Sequence, residues 1–384
     1  MPLTAARRST FAFFALNGFM LGMWVVHIPE IRDRTGATTA ELGYLLLLLG
    51  GTALLGMQVG GRLIDRFGSS VVTVVAALAL SLSLVGPGLA RSVAGLAVAL
   101  GVLGVFNGVI DVAQNAHAVE VEREYGRPII SAFHALFSLG GLLASLVGGT
   151  LIGLGADVRW SLAAAGAAGV VVTFLARPAM LPPSPATTRA KGVPRARPPW
   201  NLRVVVLALL AFMLLLSEGV AYDWSTVHLH DSLDASKTVA AWAFGAFSVT
   251  MTIVRLVADR VVARIGAAAY VQRAALVGAA GLLGAALAPN PALAIAAWAV
   301  FGVGLAGCVP QFFSAAGNID PAAAGTYLAR VTGTGYLGLL AGPAVIGILT
   351  NWVSLTTAFA VPIVGCLLAG LLAPSALRKE RASA

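Results

Sequence analysis

Cysteine, charge and catalytic signatures are all scarce in this sequence. Only Cys308 and Cys366 occur in 384 residues, too few for a disulfide framework, and with no ligand spacing around them they read as small buried hydrophobes. No H-E-x-x-H pair and no G-x-S-x-G element is present, so the chain is not read as an enzyme, and neither a cofactor nor a metal is expected. The run His228-Leu229-His230-Asp231 reads as polar residues of a loop rather than as a zinc site. Charged residues amount to only 11%.

What is present is apolar surface. The chain is 58% hydrophobic with a mean hydropathy of +0.89, more than a soluble core can hide, so a bilayer is the expected solvent. A span needs about 20 apolar residues to cross about 30 Å of hydrocarbon. Twelve such stretches fall near 10–29, 41–60, 70–90, 94–117, 129–154, 158–176, 203–224, 238–258, 267–288, 291–316, 326–350 and 353–374. The first follows Arg7 and Arg8, is span-length and has no small-residue cleavage site, so it reads as an uncleaved helix. The expected fold is an all-α membrane protein.

The net charge of +9 invites a nucleic-acid reading, but its distribution argues against one. With both termini in the cytoplasm, only Arg32, Arg34, Arg91, Arg159 and Lys237 of the 25 basic residues fall outside. That asymmetry is the positive-inside bias of an inner-membrane protein in contact with anionic lipid. Five tryptophans, Trp24, Trp160, Trp224, Trp242 and Trp352, lie near expected outer ends, as an interfacial belt requires.

Residues 178–201 break the pattern with Pro178, Pro182, Pro183, Pro185, Pro194, Pro198 and Pro199 and with Arg189, Lys191, Arg195 and Arg197. Proline at this density forbids a helix, and the charge keeps the segment in water, so it is a linker between residues 1–177 and 202–384. The halves echo each other: Leu139-Gly140 recurs as Leu337-Gly338, and Gly104-Val105 as Gly302-Val303. Gly140, Gly141, Gly148, Gly149 and Gly153 are spaced for close helix approach.

Between the second and third stretches lies Gly61-Arg62-Leu63-Ile64-Asp65-Arg66-Phe67-Gly68, with a weaker copy at Arg255-Leu256-Val257-Ala258-Asp259-Arg260 together with Arg264 and Gly266. This loop resembles the G-x-L-x-D-R-x-G signature of the major facilitator superfamily. The resemblance implies twelve transmembrane helices in two pseudo-symmetric six-helix bundles, with Gly61, Arg62, Asp65, Arg66, Gly68, Arg255, Asp259 and Arg260 as gating-loop residues. Ser69 and Ser70 replace the basic residues that often follow the second glycine.

Polar residues at membrane depth mark the candidate pathway. Asn107, Asp111 and Asn115 share one helix face by their i, i+4, i+8 spacing, as do His134 and Ser138, and Glu218 and Tyr222. Asp111, His134 and Glu218 are the candidate proton-coupling groups. Asn17, Trp24, Asn107, Asn115, Ser138, Tyr222, Gln311 and Tyr336 are the candidate solute contacts. The segments Asp111–Asn115 and Ser131–Gly140 resemble the fucose permease and hexose–proton symporter branch, and imply that Asp111 couples uptake of a sugar-like solute to protons. That branch carries an acidic residue before an Ile-Pro pair in the first helix; here Trp24-Val25-Val26-His27-Ile28-Pro29 has none. The expected partners are a small solute, protons and lipid, with the chain acting as a monomer. Proton-coupled efflux and a non-transporting sensor remain open. Export is disfavoured because Ser145-Leu146-Val147-Gly148-Gly149 lacks the proline of the efflux-pump element.

Overall fold

A computed structural model describes residues 3–126, 129–182, 200–319 and 324–377. Arg127, most of the expected linker and the basic residues after 377 lie outside them. The first half contributes α1 (Leu3–Thr35), α2 (Thr39–Phe67), α3 (Ser69–Ser83), α4 (Val85–Leu89), α5 (Val93–Tyr125), α6 (Ile130–Gly153) and α7 (Val158–Ala176). The second contributes α8 (Leu202–Leu233), α9 (Lys237–Ile265), α10 (Ala267–Ala286), α11 (Pro291–Leu305), α12 (Cys308–Gly317), α13 (Ala324–Leu349), α14 (Leu355–Ala358) and α15 (Ala360–Ala376). Three spans are built from two helices each, α3 with α4, α11 with α12 and α14 with α15, which makes twelve candidate membrane spans among the described residues.

Most breaks between helices are short and capped by the side chain the local sequence supplies. Thr38 and Glu41 form a reciprocal capping box at the start of α2; Ser92, Asp157, Asn201, Ser236 and Asn290 accept from the first-turn amides of α5, α7, α8, α9 and α11. At the exposed α6–α7 turn the Arg159 guanidinium holds the Asp157 carboxyl well below the usual carboxylate range. The apolar windows of α1 and α8 are 72% buried against 39–56% for the other ten spans, which makes these two helices the centres of their halves.

The halves repeat at a constant offset of 198 residues. Gly68 and Gly266 end α2 and α9 at φ +84° and +82°, a backbone region that side chains rarely adopt. A Cβ on Gly104 would strike Leu49 O and the Thr52 hydroxyl; one on Gly302 would strike Phe247 O and the Thr250 hydroxyl. Likewise Gly140 lies against Ala15 O, and Gly338 against Phe212 O. Packing follows the same correspondence: α2 against α5 and α9 against α11, α1 against α6 and α8 against α13, α3 against α7 and α10 against α15. Replacing Gly104 or Gly302 by Val should therefore destabilise the protein by about 1–3 kcal/mol or more through overpacking. Gly61→Ala, whose added carbon meets nothing within 4 Å, should be neutral or slightly stabilising. Thermal unfolding in detergent distinguishes the two.

The offset corrects the expected gating loops. Gly61, Arg62, Asp65 and Arg66 are not in a loop: α2 runs unbroken to Phe67, and the turn is the single residue Gly68. Asp259 and Arg260 are likewise helical, since α9 continues to Ile265. At an offset of 198, Arg260 corresponds to Arg62 and Arg264 to Arg66, whereas Arg255 corresponds to Met57, well inside the helix. Arg255 is therefore neither a loop residue nor part of the repeated signature. A helix persists through these charges because its own backbone bonds are satisfied and its last turn reaches the polar zone.

Two further expectations need correction. His228 is not in a loop: α8 extends to Leu233, and His228 is fully buried against Trp298 and Phe359. Trp160, Trp242 and Trp352 are exposed as a belt requires, but Trp24 and Trp224 are buried in the protein, where the Trp224 indole donates to Pro343 O at 3.0 Å.

Candidate functional site

Helix α8 turns Glu218 and Tyr222 to one face, and α9 brings Arg255 to meet them. Arg255 Nη2 donates to Glu218 Oε1 at 2.8 Å, and Arg255 Nη1 donates to Ser138 Oγ at 3.3 Å. Ser138 belongs to α6 of the other half, so this guanidinium joins the two halves at the level of the candidate pathway. It is a permanent cation, and Glu218, with only 9% of its side chain exposed, supplies the opposite charge that makes it tolerable there. Tyr222 packs its ring between Phe244 and Phe247 of α9 and lies within electrostatic reach of both members of the pair.

Across from them, α5 presents the polar face expected from its spacing. Asn107, Asp111 and Asn115 are all half-buried, while Ile110, Ala113 and Gln114 of the same helix are buried. Asn115 Nδ2 donates to Asp111 O at 2.8 Å and to Asp111 Oδ1 at 3.3 Å. No cation pairs with the Asp111 carboxylate among the described residues. Its neighbour across the gap is Tyr336 of α13, which lies within reach of Asp111, Glu218 and Arg255 together. The Asp111 face therefore looks toward the second half of the chain.

His134 lies edge-on to Phe14 with ring centroids 5.3 Å apart, and within range of the Arg255 charge. The structure thus gathers His134, Ser138, Glu218, Tyr222 and Tyr336 around Arg255, and Tyr336 in turn links this cluster to Asp111 with its neighbour Asn115. It does not bring the other expected residues to that cluster by any contact among the described residues. Asn17 is buried on α1 with Oδ1 unpartnered, Trp24 is buried with Nε1 unpartnered, and the Asn107 Oδ1 also lacks a partner. Gln311 donates to Gly307 O within its own segment.

The halves meet on one side of this cluster. α1 contacts α8 and α9, α2 contacts α13, and α6 contacts α9. Ser145 Oγ donates to Ala241 O at 2.6 Å and Thr226 Oγ1 to Val25 O at 3.2 Å. Gly43 of α2 sits directly on Gly347 of α13. At the end of this seam Arg32 makes a bidentate pair with Asp231, and Lys237 Nζ reaches Asp33 at 2.6 Å, again between the two halves. Toward the opposite end Gly61, Gly317 and Gly333 face open space. A cavity of about 820 Å³ lies beyond the seam between α2, α8 and the α13–α14 turn, and several of its polar groups bond within their own helix ends. Thr350, for instance, donates to Gly347 O, and Asn351 to Ile348 O.

Sequence reasoning assigned Arg255 to the gating loop rather than to the central cluster, although the expected span 238–258 contained it, and a charge inside a span is itself the signal. It missed the Arg32–Asp231 and Asp33–Lys237 pairs. Their residues sit at helix ends that only the fold brings together.

Comparison with known proteins gives a consistent picture. The family model described as Major Facilitator Superfamily matches residues 10–225 and 207–384. An uncharacterized transporter, y4wD, of Sinorhizobium fredii is 33% identical over 96% of this chain and 97% of its own length. An uncharacterized MFS-type transporter of Yersinia pestis is 33% identical over 98% and 95%. Among solved structures, a D-xylose–proton symporter superposes with a TM-score of 0.78 at 16% identity, covering 99% of each chain. The nucleoside transporter NupG does so with 0.77 at 13%, covering 96% of this chain and 99% of that one.

Proposed function

Because the chain belongs to the major facilitator superfamily of secondary transporters, we propose that it moves a small, neutral, sugar-like solute by alternating access, coupled to protons at Asp111. It is a multi-pass membrane transporter and not an enzyme. The observation that carries the coupling is the asymmetry between its two central carboxylates. Glu218 is held by a guanidinium at 2.8 Å, whereas among the described residues the Asp111 carboxylate has an amide and no cation beside it and lies within reach of Tyr336 of the other half. A proton carrier must exist both charged and neutral through the cycle, and a carboxylate without a fixed cation is free to do so. With Glu218 and Arg255 cancelling, a protonated Asp111 leaves the centre neutral, which suits an uncharged solute.

In this reading the chain is a monomer of the bacterial inner membrane with both termini cytoplasmic. The seam closed by Arg32–Asp231 and Asp33–Lys237 faces outward, and the pathway opens to the cytoplasm between Arg62 and Arg260. Hydroxyl, amide and phenol groups of Ser138, Asn107, Asn115, Tyr222 and Tyr336 are the solute contacts, and His134 tunes the field at Arg255. Rocking of the halves about the central cluster breaks the outer pairs and separates Ser138 from Arg255.

The test is uptake by proteoliposomes of a panel of hexoses, pentoses and polyols, acid outside. A member of the panel should accumulate only while the proton gradient stands. Uptake that is the same with the gradient collapsed removes the coupling, and proton-driven movement in the opposite direction would favour export.

A further inference from the structure

We propose that the groove between the basic ends of α1 and α7 is a binding site for an anionic phospholipid, its phosphate on Arg8 and an acyl chain along the groove. The groove is shallow and open along its length, with about 490 Å³ of space between walls formed by Ala5 and Ala12 of α1 and Val172, Leu175 and Ala176 of α7. Its floor is pinned by the bond from Ser9 Oγ to Ala176 O at 2.9 Å, so the two helices cannot close over it by sliding together. Val172 and Leu175 are exposed on a helix apolar enough to cross a bilayer.

Charge selects the occupant. Arg8 lies at the rim, exposed, with no side-chain partner among the described residues. Its neighbours differ: Arg7 is bound to the Tyr125 hydroxyl at 2.8 Å, and Arg177, next to the groove residue Ala176, rests on the Phe174 ring at 4.8 Å. An apolar trough open to lipid and ending at an unpaired guanidinium matches an acyl chain ending at a phosphodiester. A zwitterionic headgroup offers the same phosphodiester but adds an ammonium that the Arg8 charge repels. Basic pockets between helix ends recognise anionic headgroups in this way. The Thr4 hydroxyl at the mouth adds a donor for phosphate or glycerol oxygen.

Native mass spectrometry of the detergent-purified full chain tests the site. Phosphatidylglycerol and phosphatidylcholine of identical acyl chains would be added at equal concentration to the wild type, Arg8→Gln and the groove-filling Ala12→Leu. The wild type should retain phosphatidylglycerol about fivefold better, the preference of one basic residue near an anionic surface. Arg8→Gln should bring that preference close to one, and Ala12→Leu should reduce retention of both lipids. No preference in the wild type, or full phosphatidylglycerol retention in both variants, would overturn the proposal. So would displacement of the lipid by inorganic phosphate alone, because the groove would then contribute nothing. Solute uptake does not enter the readout, so the result stands or falls independently of the proposed transport reaction.

Discussion

Asp111→Asn should abolish accumulation of solute against a gradient while leaving equilibrative exchange across the membrane. The substitution keeps the size of the side chain and its hydrogen-bonding neighbour Asn115, and removes only the ability to gain and lose a proton. A proton moving through 100 mV supplies about 2.3 kcal/mol, which sustains a solute gradient of about 50-fold. The wild type should approach that ratio in energised proteoliposomes, and the variant should fall to a ratio of about one. Exchange of labelled for unlabelled solute should survive, because an amide permits the neutral state in which the halves rock. Undiminished accumulation in the variant would leave the proposed coupling without its carrier, even if the solute were correctly assigned.

Removal of Arg255 should cost far more stability than removal of the pair. Arg255→Leu leaves Glu218 charged in the interior with 9% of its side chain exposed, and breaking one side of a buried pair costs about 3–5 kcal/mol. The arginine retains 25% exposure, so the lower end of that range is expected. The double variant Arg255→Leu, Glu218→Leu should recover most of the loss, because the desolvation of both charges is relieved together. Thermal unfolding of the purified protein in detergent reads the difference. Equal loss in the single and double variants would mean that Arg255 matters for packing rather than for charge. In both variants the contact to Ser138 is lost, so transport should fall in both whatever the stability.

These expectations rest on different parts of the molecule, and the sequence exposed them unequally. Asp111 was legible because a carboxylate flanked by Asn107 and Asn115 at helical spacing has no cheap place in lipid. Arg255 reads as part of a repeated cytoplasmic loop when its charged run is aligned with that of Arg62. Only the matched turns at Gly68 and Gly266, and the matched helix contacts at Gly104 and Gly302, give the true register. Five residues of misalignment moved a central cation to the surface.

Composition and periodicity by themselves determined that this chain lives in a bilayer, that it crosses it twelve times, and that it is built as a duplicated bundle. Hydrocarbon enforces these properties on each segment separately, since every span must satisfy its own backbone and carry its own apolar surface. What the tertiary structure alone decided is which charges meet. Glu218 with Arg255, Arg32 with Asp231, Asp33 with Lys237, and Tyr336 opposite Asp111 are pairs between different helices, most of them joining the two halves of the chain. No local pattern encodes them, because Coulomb attraction and hydrogen bonding act on distance in space, and that distance is set only when the helices are packed.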